Sequence, residues 1–266
     1  MVTPGAVRAL PQARQADSGA VAKAPFGPGM DIEPGETFFL ELFAGKGGLT
    51  AAVKRAGLRT FEATDVSPDG DVVFLDLLDD ATFRWLLKLA KSGRIRWLHG
   101  GPPCKTFSRA RRRDQHGYAP TLRSTAFPAG LPGITNRFLW EGNILATRFA
   151  KIATCVHRAG GWWSLEQPEK SFMWLYKPVL ELSRLPGAAW ICGDQCCLGG
   201  EYMKPTGWLS NAPFMGVLAQ KCPGQPSHVV HPRLEGKVEA PDGTIVWRTS
   251  LAAAYPQRLC EALAEA

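Results

Sequence analysis

Nowhere in this 266-residue chain does an apolar run approach the roughly 20 residues that a bilayer span requires; Lys, Arg, Gly or Pro breaks the longest candidates within about ten positions. A helical membrane protein is therefore not expected. The first residues also lack a continuous apolar segment, because Arg8, Pro11, Arg14 and Gln15 interrupt it, so no secretory signal is expected either. Cysteine is not arranged for disulfides: seven residues at uneven spacing fit free thiols in a reducing compartment. Acidic residues fall short of basic ones, 24 against 31, and the net charge of +7 points to a polyanionic partner such as nucleic acid.

What is present is an ordinary globular composition, 45% hydrophobic and 21% charged, in a chain long enough to bury a core without disulfides or a structural metal. Residues 1–35 are rich in Ala, Pro and Gly, with breakers at Pro25, Pro28, Gly29 and Pro34, and read as a disordered leader. From Glu36 short apolar runs alternate with helix-period segments, which predicts strands joined by crossover helices, βαβ throughout. Strands are expected at 38–42, 60–64, 72–75, 96–99, 162–165, 188–192 and 208–211. Helices are expected at 50–56, at 83–91 with Asp80 as cap, at 141–158 and at 256–264. The fold class is α/β, a doubly wound Rossmann-like sheet over 36–211 with a small irregular insertion at 212–247 and a closing helical segment at 248–266. Between Arg109 and Arg137 no regular element is evident, and a loop of that length inside a domain is usually functional.

Chemistry concentrates at the expected strand ends. The first strand runs into Phe43-Ala44-Gly45-Lys46-Gly47-Gly48, a glycine turn that opens a helix and lets backbone approach a ligand. It is not a phosphate-cradling P-loop, because Gly47 follows Lys46 where that motif needs Ser or Thr. About twenty residues on, the second strand ends at Asp65, where nucleotide-binding doubly wound folds place a carboxylate for the ribose hydroxyls. Asp76 closes the third strand and can meet a base. The fourth strand delivers Gly101-Pro102-Pro103-Cys104, setting a stiffly held cysteine over the crevice at the carboxyl edge of the sheet. Lys105, Arg109 and Arg111 to Arg113 are expected to favour its thiolate and to attract phosphates. Glu166 ends the fifth strand on the same edge, a carboxyl beside a nucleophile.

At these strand ends the chain resembles the DNA (cytosine-5) methyltransferases over roughly residues 38–211. Phe43-Ala44-Gly45-x-Gly47-Gly48 is similar to that family's donor-binding turn, and Gly101-Pro102-Pro103-Cys104-x-x-Phe107-Ser108 resembles its nucleophile loop. The resemblance implies S-adenosylmethionine as methyl donor, held by Phe43, Gly45, Gly47, Gly48, Asp65, Asp76 and Pro103. It implies Cys104 as the nucleophile that adds to C6 of an extruded cytosine, with Glu166 contacting N3 and the exocyclic amine. Lys105, Ser108, Arg109, Arg111 and Lys204 are then the substrate contacts, and Lys204 stands where the family has an arginine. DNA is the expected partner and RNA the rival, since a tRNA-directed relative shares this fold; a catalytically silent nucleic-acid-binding member is the third reading. The protein is expected to be an intracellular monomer, in the nucleus, the cytoplasm or an organelle.

The chain departs from the family in having Lys105 where Gln is usual, Gln167-Pro168 after Glu166 where Asn-Val is usual, and a short target-recognition region. Cys192, Cys196, Cys197, Cys222, His228 and His231 admit a zinc reading, against the plainer one of buried thiols and solvated histidines. The catalytic chemistry needs no metal, and none is assigned.

Overall fold

The short apolar runs pair into one sheet. The computed structural model describes residues 35–67, 72–109, 120–224, 230–232, 234–240 and 243–266; the expected leader up to residue 34, Arg111 to Arg113 and His228 lie outside them. Strands β1 (Phe38–Leu42), β2 (Thr64–Asp65), β3 (Val73–Phe74), β4 (Ile95–Gly100), β5 (Trp162–Pro168), β6 (Ala189–Asp194) and β7 (Pro205–Ser210) lie in the order β3-β2-β1-β4-β5-β7-β6. The pairings from β3 to β5 are parallel, and β7 runs antiparallel to both β5 and β6. Strands β8 (Lys237–Glu239) and β9 (Ile245–Trp247) form a separate two-stranded ribbon. This is the α/β, doubly wound Rossmann-like architecture expected from the sequence.

The helices are α1 (Gly48–Arg55), α2 (Asp80–Lys91), α3 (Arg137–Arg158), α4 (Lys177–Leu182), α5 (Arg248–Leu251) and α6 (Gln257–Glu265). Alternation along β1 sends Leu40 and Leu42 into a core with Leu86, Leu89, Phe149, Ala153 and Val179, under α2, α3 and α4. Phe39 enters the opposite core with Leu49, Val53, Trp97, Leu259 and Leu263, under α1 and α6. Both sheet faces are thus covered, as a parallel sheet requires.

Several expectations need correction. The connection pattern is not βαβ throughout: residues 195–204 are too short for a crossover, so β6 and β7 pair antiparallel around a 3-10 turn at Gln195–Leu198. The strand expected at 60–64 shrinks to a bridge between Phe39 and Thr60 and to β2. Asp79, not Asp80, caps α2, accepting from the Thr82 amide at 2.6 Å. α3 begins four residues early because Asn136 caps it through the Leu139 amide.

Glu41 on β1 is buried, and its Oε2 accepts from the Thr50 amide at 2.8 Å and the Thr50 hydroxyl at 2.6 Å, fastening the first turn of α1 to the sheet. Burial pushes its carboxyl up to about 7, the Thr50 hydrogen bonds opposing. Because the folded value lies above the ordinary 4.5, the native state holds the extra proton between those values, and stability falls as pH rises through that window. Glu41→Gln should remove this slope and leave the variant on the order of 2–3 kcal/mol better placed at pH 8, relative to pH 4, than the parent. Urea titrations at both pH values test this, and parallel slopes for the two proteins would refute it.

Candidate active site

Register places the chemistry on one rung. Thr64 pairs with Leu42, Leu42 with Gly100, Gly100 with Leu165 and Leu165 with Leu209. The next residues, Asp65, Phe43, Gly101, Glu166 and Trp208, therefore line one edge of the sheet, with neighbouring strands about 4.8 Å apart.

At the β1 end the chain turns sharply. Phe43, Gly45 and Gly47 all adopt positive φ, at 59°, 57° and 65°. A Cβ on Gly47 would meet Ala63 Cβ at 3.0 Å and Val72 Cγ2 at 3.1 Å, so close packing and backbone shape both demand glycine there. A Cβ on Gly45 would meet nothing within 4 Å; the backbone is open on that side. Asp65 Oδ2 accepts from the Gly45 amide at 3.0 Å and its Oδ1 from the Ser67 amide at 3.0 Å. Asp65 therefore shapes the turn as well as facing the crevice. Half-buried Asp76 accepts from the Leu78 amide at 2.7 Å, and Gly48 starts α1 with Cys260 Sγ 3.5 Å from where its Cβ would be.

At the β4 end Pro103 leads into the 3-10 turn Cys104–Thr106, whose first carbonyl accepts from the Phe107 and Ser108 amides at 2.9 and 2.8 Å. Two buried side chains hold this turn. Gln167 donates to the Pro102 carbonyl and accepts from the Ser171 hydroxyl, and so acts on the Cys104 turn. Arg123 is fully buried, its guanidinium 3.5 Å from the Phe107 ring centre. It donates to the Thr106 carbonyl and hydroxyl, to the Pro128 and Leu139 carbonyls and to Asn143 Oδ1. None of these acceptors is a carboxylate. Burial lowers the guanidinium to about 10, still well above neutrality.

The Cys104 side chain is exposed to solvent, yet its thiol is pushed up to about 11, first by the surrounding protein and then by Glu166, with Lys204 pulling the other way. Burial likewise raises the Glu166 carboxyl, opposed by Lys204, and among the described residues it accepts no hydrogen bond. Lys204 arrives on the loop before β7 with φ 33°. Its carbonyl accepts from the Thr206 hydroxyl and the Gln195 amide, and Gln195 also donates to Thr206 Oγ1.

Among the described residues, the two cations expected to surround the thiol turn elsewhere, and Arg111 to Arg113 lie outside those residues. Lys105 Nζ sits 4.1 Å from the Phe138 ring centre and the Arg109 guanidinium 4.7 Å from that of Phe172, so both cations lie on aromatic faces. The thiol is accordingly raised, where the sequence predicted it lowered. Ser108 stays half-buried in the turn, and Arg111 is outside the described residues.

A second layer lies beneath the edge. Trp97 Nε1 donates to Ser164 Oγ at 3.0 Å, Ser164 Oγ meets His99 Nδ1 at 2.7 Å, and His99 Nε2 meets the Tyr255 hydroxyl at 3.0 Å. If Ser164 donates to Nδ1, then Nε2 carries the ring hydrogen and donates to the Tyr255 hydroxyl. Burial lowers His99 to about 3, so the imidazole is neutral. A Cβ on Gly101 would lie 3.1 Å from Glu166 Oε2 and 3.6 Å from the Tyr255 hydroxyl, which puts both groups at the same rim. Sequence reading misses Arg123, His99 and Tyr255, since none stands in a recognisable spacing.

Searches against protein-family models and against curated proteins each return no match. Among solved structures the chain is similar to the Schizosaccharomyces pombe Dnmt2 methyltransferase, with a TM-score of 0.41 and 13% identity, covering 66% of this chain and 49% of that one. It is also similar to a mutant of Spodoptera frugiperda DNMT2, with a TM-score of 0.37, 16% identity and the same coverages. The chain thus matches about half the length of these proteins.

Two outcomes follow from the geometry. Glu166→Gln removes a negative charge from beside the thiol, so alkylation of Cys104 by iodoacetamide at pH 8, read by residue-resolved mass spectrometry, should speed up, whereas Lys204→Met should slow it; unchanged rates would separate these groups electrostatically. Arg123→Lys keeps the charge but leaves carbonyls of the Cys104 turn unpaired, and should cost roughly 3–5 kcal/mol in thermal or denaturant unfolding. A loss below about 1 kcal/mol would show that the clamp is dispensable.

Proposed function

We propose that this chain is a cytosine-5 methyltransferase that takes its methyl group from S-adenosylmethionine and acts on DNA. The observation that carries the reading is the Cys104 thiol at the sheet edge, beside Glu166 and Lys204 and one strand away from the glycine turn. The open backbone at Gly45 and the adjacent Asp65 carboxylate fit a nucleoside-bearing donor, with Phe43, Gly47, Gly48, Asp76 and Pro103 completing its seat. When bound, S-adenosylmethionine supplies an electrophilic methyl group.

The chain's own residues account for the activation of the base. A cytosine inside a duplex cannot reach this edge, so it is extruded. Cys104 Sγ bonds to C6 while its proton passes to Glu166, and the protonated Glu166 then donates to N3 of the ring. One proton thus serves both groups: its departure ionises the sulfur, and its arrival on Glu166 removes the charge that opposes that ionisation. Lys204 offsets the remaining negative charge. Carbon 5, made electron-rich by the addition, becomes the methyl acceptor; loss of its proton and of the Cys104 thiolate restores the ring. Lys105, Ser108, Arg109 and Arg111 are proposed to meet the polymer, consistent with the net charge of +7. The protein is proposed to act as an intracellular monomer.

Incubation with donor and a duplex carrying 5-fluorocytosine tests the reading, because the fluorine cannot leave and the adduct persists. A denaturation-resistant adduct that Cys104→Ser abolishes is expected. An adduct formed only with 5-fluorocytosine-substituted tRNA would move the substrate to RNA, and salt-sensitive binding without any adduct would end the enzymatic reading in favour of a binding module.

A further inference from the structure

Away from the sheet edge, three chain segments bring thiols and an imidazole together. Cys196 lies in the turn after β6, Cys222 follows the 3-10 helix Pro213–Leu218, and His231 comes nine residues later. Their ligand atoms all lie within 4.8 Å of one another, and Cys222 Sγ is 3.6 Å from His231 Nε2. The Cys196 thiol is also within hydrogen-bonding reach of the Cys197 thiol. None of these cysteines is in a disulfide.

The imidazole is set for coordination. His231 Nδ1 lies 3.0 Å from the Glu201 carbonyl, which can only accept, so Nδ1 carries the hydrogen and Nε2 presents a lone pair toward the thiols. A backbone acceptor that fixes the tautomer in this way is the usual support of a metal-bound histidine. Cys222 is likewise fixed: its amide donates to Asp194 Oδ2 at 2.9 Å, and Asp194's own amide donates to the Gln220 carbonyl at 2.8 Å. The 218–222 backbone runs so close to β6 that a Cβ on Gly193 would collide with the Leu218 carbonyl at 2.0 Å. Glycine at 193 therefore permits the approach that brings Cys222 to Cys196.

The same region has little apolar packing of its own. Among the described residues, neither hydrophobic core draws a residue from 219–254, and Val230 and Ile245 are exposed. Segments with so thin a core need another tie, and a structural metal is one that a small Cys/His set provides.

We propose that Cys196, Cys222 and His231 bind a zinc ion. Spacing alone assigns no metal here, because the ligands come from three segments with no short paired motif; the fold supplies what the spacing lacks. Donors around a tetrahedral zinc lie roughly 3.5–4 Å apart, which the Cys222–His231 pair already matches and to which a small closure would bring Cys196. Binding releases the thiol protons and leaves the histidine neutral. The ion would pin the loop between β6 and β7, and with it Lys204, to the chain that follows Cys222.

Metal analysis of the full chain, purified without chelators and dialysed against metal-free buffer, should find one zinc per chain. Exchange into cobalt should give thiolate-to-cobalt charge transfer and the intense visible bands of a tetrahedral site. Cys222→Ser and His231→Ala should each weaken zinc retention against a competing chelator at least about ten-fold. Cys104→Ser should retain the metal in full. Parent protein without zinc and without cobalt uptake, a Cys196–Cys222 disulfide in freshly purified protein, or zinc retained undiminished by Cys222→Ser would overturn the assignment.

Discussion

A guanidinium without a carboxylate partner holds the reactive turn. Arg123 is buried where its charge costs most, and it is tolerated because its hydrogen bonds to carbonyl, amide and hydroxyl oxygens, together with the Phe107 ring, replace the lost water. Those acceptors belong to the Cys104 turn, to the 120–131 segment and to α3. One side chain therefore fixes the Cys104 turn relative to both the loop that follows it and the helix that packs beneath. Gln167 repeats the device from β5, so the turn is gripped from two sides by side chains that bring no negative charge to it.

The strand-end chemistry was legible because a residue at the end of a parallel strand is placed by local pattern alone. Phe43 to Gly48, Asp65, Cys104 and Glu166 each follow a short apolar run, and the register of β1, β2, β4 and β5 brings the ends of those runs to one edge of the sheet. The sense of β7 was also available in principle, since 195–204 is shorter than any crossover. What the pattern cannot convey is which partner a long cation chooses. Lys105 and Arg109 are adjacent to the nucleophile in sequence yet lie on Phe138 and Phe172, while Lys204, a hundred residues away, acts on the thiol. Arg123 sits in a segment without periodicity and looks like any other loop arginine until the fold closes over it.

The two halves of the site are built on different kinds of support. The glycine turn and the nucleophile loop rest on parallel strands backed by two cores. Lys204 rests on a hairpin loop whose ties are hydrogen bonds through Gln195, Thr206 and the Glu201–His231 contact. Leu198 of the same loop is buried in the core under α1 and α6, so apolar packing ties the loop to the sheet as well.

An exposed sulfur that resists losing its proton has a chemical advantage beyond the reaction itself. Peroxide and disulfide exchange both require the thiolate, so a thiol raised to about 11 is shielded from oxidation even though solvent reaches it. The side chain that most invites damage thus rests in the form least able to suffer it.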